Sequence, residues 1–277
     1  MWSISLRNKT ILLLSLISFL IVQDWQPFHL KDLRDNQNSQ IDYKRVDNIA
    51  EQISVNNLSR PILTHSITGY LPYWEYDQYP YLDYNLLTHI NYFSAELDEF
   101  GNVVNNNNWP NLSIVEFAHE RGVKVKLCAT LFGEESLRNF LSNPISRQNA
   151  ISNLLELVIN KNADGVDIDF ELLPSDQRDN LVSFIEDLST AFNNEMDNPI
   201  ITMATPAIDW SNAWDYNQLA EITDGLFIMG YNYFYSGSDN AGPVSPLGGY
   251  YYDIEYTLDD YIDKTNGQLD KLILGLP

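Results

Sequence analysis

Asp164-Gly-Val-Asp-Ile-Asp-Phe-Glu171 is the stretch on which the reading of this chain turns. Side chains alternate along a β-strand, so Asp167, Asp169 and Glu171 share one face while Val166, Ile168 and Phe170 share the other. The apolar set can pack under helices. The acidic set cannot, because burying carboxylates against an apolar layer costs several kcal/mol apiece. At a rise of about 3.3 Å per residue, neighbouring acids stand about 6.6 Å apart at Cα, close enough for one pKa to rise. Glu171, at the C-terminal end, is placed to meet a ligand while still protonated, which is what a general acid requires. A calcium loop would follow a non-alternating path with turn-forming glycines, and the interleaved Val, Ile and Phe argue against it.

Outward from this strand, short β-rich runs alternate with helical patterns from Ile67 onward, as in sheets built from βαβ crossovers. The expected strands are 67–73, 89–95, 124–131, 165–170, 200–204, 225–229 and 272–276, and the clearest helical patterns are 112–121, 147–161, 175–192 and 254–265. Ser175, after Pro174, is the expected N-cap of the third helix. A doubly wound sheet would show the same alternation, but its central strands are covered on both faces. Three acids on one face need a lumen open to solvent, which a barrel supplies at its C-terminal mouth. The expected fold class is therefore α/β, a (β/α)8 TIM barrel that is incomplete, with about seven strands.

The net charge of −22, from 16 Lys plus Arg against 38 Asp plus Glu, repels phosphate backbones and sets nucleic acid aside as a partner. Cys128 is the single cysteine and the four histidines are scattered, so neither a disulfide framework nor a metal site is indicated, and no cofactor is called for. Cys128 sits in an apolar run and reads as packing. At the N-terminus, Arg7 and Lys9 precede the apolar residues 11–22, the pattern of an export signal. Residues 1–30 are thus expected to be a cleaved signal or a membrane anchor, giving a secreted protein or one held on the periplasmic or extracellular side. Residues 31–65, rich in Asn, Asp, Gln and Ser, are expected to be a polar linker with at most one short helix. The barrel is expected to occupy residues 66–277.

Asp164-x-x-Asp167-x-Asp169-x-Glu171 resembles the signature of family-18 glycoside hydrolases, the chitinases and endo-β-N-acetylglucosaminidases. Similar matches are Gly69-Tyr70, Thr88-His89-Ile90-Asn91-Tyr92, Met229-Gly-Tyr231-Asn232 and Leu274-Gly275-Leu276-Pro277. The resemblance implies a TIM barrel and a substrate-assisted, retaining hydrolysis of glycans containing N-acetylglucosamine, a route outside the two-carboxylate scheme. It implies Glu171 as acid and then base, Asp169 orienting the substrate's acetamido group and Asp167 sharing a proton with Asp169. Tyr231 would bond the acetamido oxygen, Met229 and Asn232 would wall the −1 subsite, and Tyr70 would lie near its floor.

Trp74 and Tyr233, on loops at the expected mouth, are candidates for stacking on sugar rings. The partner is then a polysaccharide or oligosaccharide containing N-acetylglucosamine: chitin first, with N-glycan cores, peptidoglycan-type glycans or non-catalytic chitin binding as alternatives. Some features depart from the pattern. Asn232 stands where the family often has Asp, and Cys128-Ala-Thr-Leu-Phe-Gly133 replaces a Gly-rich segment. On the strand count the chain is expected to be cut short at its C-terminal end, without the family's eighth strand or its tryptophan, leaving the first strand's edge unpaired.

Overall fold

In the computed structural model, which describes residues 28–53 and 63–277, the alternating runs form one curled sheet. Its strands are β1 (Thr68–Pro72), β2 (His89–Leu97), β3 (Val103–Asn105), β4 (Lys124–Phe132), β5 (Gly165–Glu171), β6 (Ile200–Pro206), β7 (Gly225–Met229) and β8 (Leu272–Gly275). All but β3 run parallel in chain order, β1-β2-β4-β5-β6-β7-β8, and β3 adds an antiparallel edge to β2. The parallel strands are the seven expected from the sequence. Among the described residues β1 pairs only with β2 and β8 only with β7, so the sheet is a part-barrel with an open seam.

The helices are α1 (Phe28–Asn36), α2 (Tyr43–Ala50), α3 (Ile114–His119), α4 (Glu134–Ser142), α5 (Pro144–Lys161), α6 (Arg178–Glu195), α7 (Tyr216–Ile222) and α8 (Ile254–Lys264). Local chemistry sets several of their ends. Asn143 caps α5 by accepting from the Ile145 amide, with Pro144 in the first turn and Asn162 left-handed at the C-cap. Asp253 caps α8 through the Tyr256 amide. Ser175 does not cap: residues Ser175–Gln177 form a 3-10 turn ahead of α6, and no side-chain cap bond is made there. The Pro174 carbonyl instead accepts from the Gln177 amide, a turn bond that draws Ser175 inside.

Every residue of β5 is buried. On its outer face Phe170 meets Phe140 of α4 and Phe184 of α6, with centroids 5.7 Å away in each case. Such aromatic pairs add about 0.5–1.5 kcal/mol each beyond area burial. The strand begins at Gly165, where φ is +154° and a Cβ would fall 1.9 Å from the Ile200 carbonyl oxygen, so only glycine lets β6 approach this closely.

Residues 31–53 are not a linker. They form most of α1 and all of α2, and α2 is bolted to the barrel. Val46 and Ala50, four residues apart and so on one helix face, are buried. Both Tyr76 and Tyr79 donate to Asp47 Oδ1, at 2.8 and 2.9 Å, and Arg121 Nη2 donates to the Ile53 carbonyl at 2.9 Å. Sparse apolar residues suffice here because they fall at helical spacing and an acid finds two buried hydroxyls. Most of the expected signal or anchor, residues 1–27 including the apolar run 11–22, lies outside the described residues. No described helix is long and apolar enough to cross a membrane.

Candidate active site

The alternation of β5 delivers the three acids to the lumen: Asp167 and Asp169 are fully buried and Glu171, at the mouth, is 7 % exposed. Asp164 belongs to the other end of the strand. Its Oδ2 accepts from the Val125 amide at 2.7 Å and lies 2.7 Å from His119 Nε2, tying the start of β5 to β4 and α3. The four-acid motif thus divides into one structural acid and three that face the lumen.

Asp167 is held from both sides. Tyr70 donates to its Oδ2 at 2.6 Å and the Thr202 hydroxyl donates to Oδ1, while Lys126 Nζ donates to Thr202 Oγ1 at 2.5 Å. Burial pulls the Lys126 pKa down, although the Asp167 charge opposes it. Burial and the neighbouring Asp167 push Tyr70 well above the ordinary phenol range. Among the described residues no hydrogen bond joins Asp167 to Asp169, so the expected shared proton is not part of this arrangement. Asp167 is satisfied by Tyr70 and Thr202, and Asp169 has a different partner.

That partner is His29, from α1. Its Nδ1 lies 2.7 Å from Asp169 Oδ2 and 3.2 Å from Glu171 Oε1, and its Nε2 lies 3.1 Å from the Tyr231 hydroxyl. The ring also meets Phe93 edge-on at 5.4 Å. One Nδ1 proton cannot satisfy two carboxylates, and Asp169 Oδ1 and Glu171 Oε1 are left without a hydrogen bond. Burial works against a charged imidazole, yet the Asp169 charge, the hydrogen bond to Asp169 and the nearby Glu171 carboxylate outweigh it and hold the His29 pKa well above its ordinary value. Burial raises the Glu171 pKa, opposed by His29 and reinforced by Asp169. Tyr231 is pushed up to about 12, mainly by burial. His29, Asp169 and Glu171 also offer three ligand atoms within 4.8 Å of one another, though their separations are already those of hydrogen bonds and an ion pair.

Two cavities open beside this cluster. One, of about 460 Å³, is lined by Glu171, Met229, Tyr231, Asn232, Tyr233 and Trp210 among others. The other, of about 690 Å³, borders the seam between β1 and β8 and is lined by His29, Tyr70, Trp74 and Tyr231. Met229 and Asn232 therefore sit beside the acids, Asn232 in the left-handed conformation that asparagine tolerates. Trp74 lines the seam cavity, edge-on to Tyr73 at 4.9 Å and Phe93 at 5.9 Å. Tyr233 spends its hydroxyl on Thr257 at 2.6 Å.

Sequence reading missed His29, Trp210 and Tyr252. Trp210 is 72 % exposed and edge-on to Tyr252 at 4.8 Å, on the rim of the smaller cavity. Its position just after β6 was the available signal, because barrel sites are built from such loops. His29 gave no local signal.

A search among curated proteins finds the sporulation-specific glycosylase YdhD of Bacillus subtilis, a provisional name, at 30% identity over 151 residues, covering 53% of this chain and 34% of that protein. The match spans about a third of that relative's length. Its crystal structure superposes with a TM-score of 0.59 at 27% identity, covering 72% of this chain and 66% of the solved one. A chitinase from Bacteroides thetaiotaomicron gives 0.64 at 24%, with 77% and 67% covered. The Cycas revoluta chitinase in complex with (GlcNAc)3 gives 0.67 at 20%, with 76% and 68% covered, and these last two show the fold. The family description "Glycosyl hydrolases family 18" fits residues 66–277, the span that carries the sheet, the three lumenal acids and Tyr231. With most of the chain matched, the protein belongs to that family.

Proposed function

We propose that the chain hydrolyses β-1,4 glycosidic bonds of N-acetylglucosamine polymers, chitin or its oligosaccharides, with Glu171 as the acid. The observation that carries this reading is the position of Glu171: it ends a strand of buried acids, its pKa is raised by burial, and it lines an aromatic cavity. Glu171 gives its proton to the glycosidic oxygen as the C1–O bond breaks. The substrate's own acetamido oxygen forms the new bond to C1, with retention of configuration once water has opened that intermediate and returned a proton to Glu171. Asp169 holds the acetamido N–H and Tyr231 its oxygen. Asp167, fixed by Tyr70 and Thr202, lies deeper on the same face of β5 as Asp169. Met229 and Asn232 wall the sugar, and Tyr70 and Trp74 border it.

Support comes from the family and from a fold shared with chitinases. A second reading, a peptidoglycan-type glycan with the same acetamido sugar, draws on the Bacillus subtilis relative named for sporulation. Turnover of chitin oligosaccharides, N-glycans and peptidoglycan should separate the substrates. Oligomers with hydroxyl in place of the acetamido group should be cleaved very poorly, since the internal nucleophile is gone. Efficient cleavage of such oligomers, or a first product of inverted configuration by proton NMR, overturns the acetamido-assisted route.

A further inference from the structure

In this structure the groups assigned above to the substrate's acetamido group are already engaged. Asp169 and Tyr231 both bond His29, one through each ring nitrogen, and Glu171 lies 3.2 Å from Nδ1. A sugar ring cannot reach Asp169 and Tyr231 while the imidazole lies between them. The occupant also resembles the reacting centre electrically, being a planar ring able to carry positive charge above two acids, where hydrolysis builds a cationic transition state.

The helix bearing His29 is held more loosely than its neighbour. Of the described side chains of α1 only Leu33 is buried, whereas α2 is fixed by Val46, Ala50 and the paired tyrosine bonds to Asp47. Cavities flank α1 on both sides. The seam cavity of about 690 Å³ borders His29 and Asp32, and another of about 700 Å³ borders Leu30, Leu33 and Arg34. Residues 37–42 join the two helices without helical structure and are mostly exposed.

We infer that α1 is a displaceable stopper, with His29 standing in for the sugar's acetamido group until the helix swings out about residues 37–42 while α2 stays docked. The inference rests on the proposed substrate class for its physiological meaning, but the blockade of the acids does not depend on it. A site open in about one molecule in ten loses about tenfold in apparent affinity, which displacing the stopper restores.

The test uses the full chain in three forms, unmodified, His29→Ala and Leu33→Ser. Leu33→Ser loosens the helix while keeping the imidazole, so it separates displacement from loss of charge. Labelling of Asp169 and Glu171 by a water-soluble carbodiimide and a small amine is followed by peptide mass spectrometry, with exposed Asp239 as reference. Both variants should label the two acids about tenfold faster, and kcat/KM on N-acetylglucosamine oligomers should rise by a similar factor. In the unmodified chain, α1 amides should exchange with deuterium at least about tenfold faster than α2 amides, because a local opening releases one helix alone. Unchanged labelling in Leu33→Ser, or equal protection of the two helices, overturns the stopper, as does lower turnover in His29→Ala. Faster labelling without turnover of any acetamido sugar by any form upholds the stopper and defeats the substrate reading.

Discussion

The two faces of β5 come from one run of residues and do opposite work. Outward, Phe170 locks into Phe140 and Phe184; inward, Asp167, Asp169 and Glu171 are buried at the expense of their hydration. The outer face stabilises the protein, whereas the inner face holds ionisable groups where apolar residues would be more stable. A strand can carry both because its neighbours on each side are chosen separately, helices outside and hydroxyl and imidazole donors inside.

Substitutions should separate the faces. Glu171→Gln should lower turnover by about 10² to 10⁴, since the amide has no proton to give. It should not destabilise the protein. A carboxyl whose folded pKa is raised loses stability as pH rises from its unfolded pKa through the folded one and carries the full cost above it, so the neutral amide should raise Tm above neutral pH. Calorimetry paired with an oligosaccharide assay checks both halves, and a Tm well below wild type at pH 8 would break the contrast. Phe170→Ala should do the reverse, costing about 3–5 kcal/mol in urea unfolding while the folded fraction keeps its turnover.

Thr202→Val tests the floor beneath the acids. It removes the hydroxyl that accepts from Lys126 and donates to Asp167, leaving both with an unmade hydrogen bond. A loss of about 1–3 kcal/mol is expected from urea unfolding, and an unchanged midpoint would show that water replaces the hydroxyl. The smallest effect concerns His29, which faces Asp169 and Glu171 from β5, Tyr231 from the loop after β7 and Asp32 on its own helix. Its folded pKa is raised, so its stabilisation is complete below the ordinary histidine pKa of about 6.5 and is lost as pH rises through the higher folded value. The Tm gap between wild type and His29→Ala should therefore be widest in mild acid and narrow at alkaline pH. A gap independent of pH would mean that the ring matters only as packing.

The sheet was legible because strand alternation is local: each of the seven parallel strands carries its own apolar run, and the acids of β5 announce a lumen without reference to any other residue. Short elements were not legible. β3 spans only Val103–Asn105 and takes its strand character from pairing with β2. α4 and α7 were not anticipated either, although α4 carries Leu137, Phe140 and Leu141 at helical spacing. Within the site, Asp169, Glu171 and Tyr231 lie together around His29. Asp164 separates from them because its partners, His119 and the Val125 amide, lie on neighbouring elements. The contact of His29 with Asp169 joins positions 140 residues apart, and a lone histidine between Phe28 and Leu30 carries no mark of where its helix will dock.

The brevity of the connection between α1 and α2 has a quantitative side. With α2 fixed, residues 37–42 confine His29 to a small volume around the acids, and short flexible tethers of this kind give effective concentrations of about millimolar. A stopper closed in about nine molecules in ten then needs an intrinsic dissociation constant of only about a tenth of millimolar. A detached peptide of residues 28–36 should accordingly act only at about that level, and lengthening residues 37–42 with Gly-Ser repeats should weaken the block gradually, by dilution alone and with every contact intact.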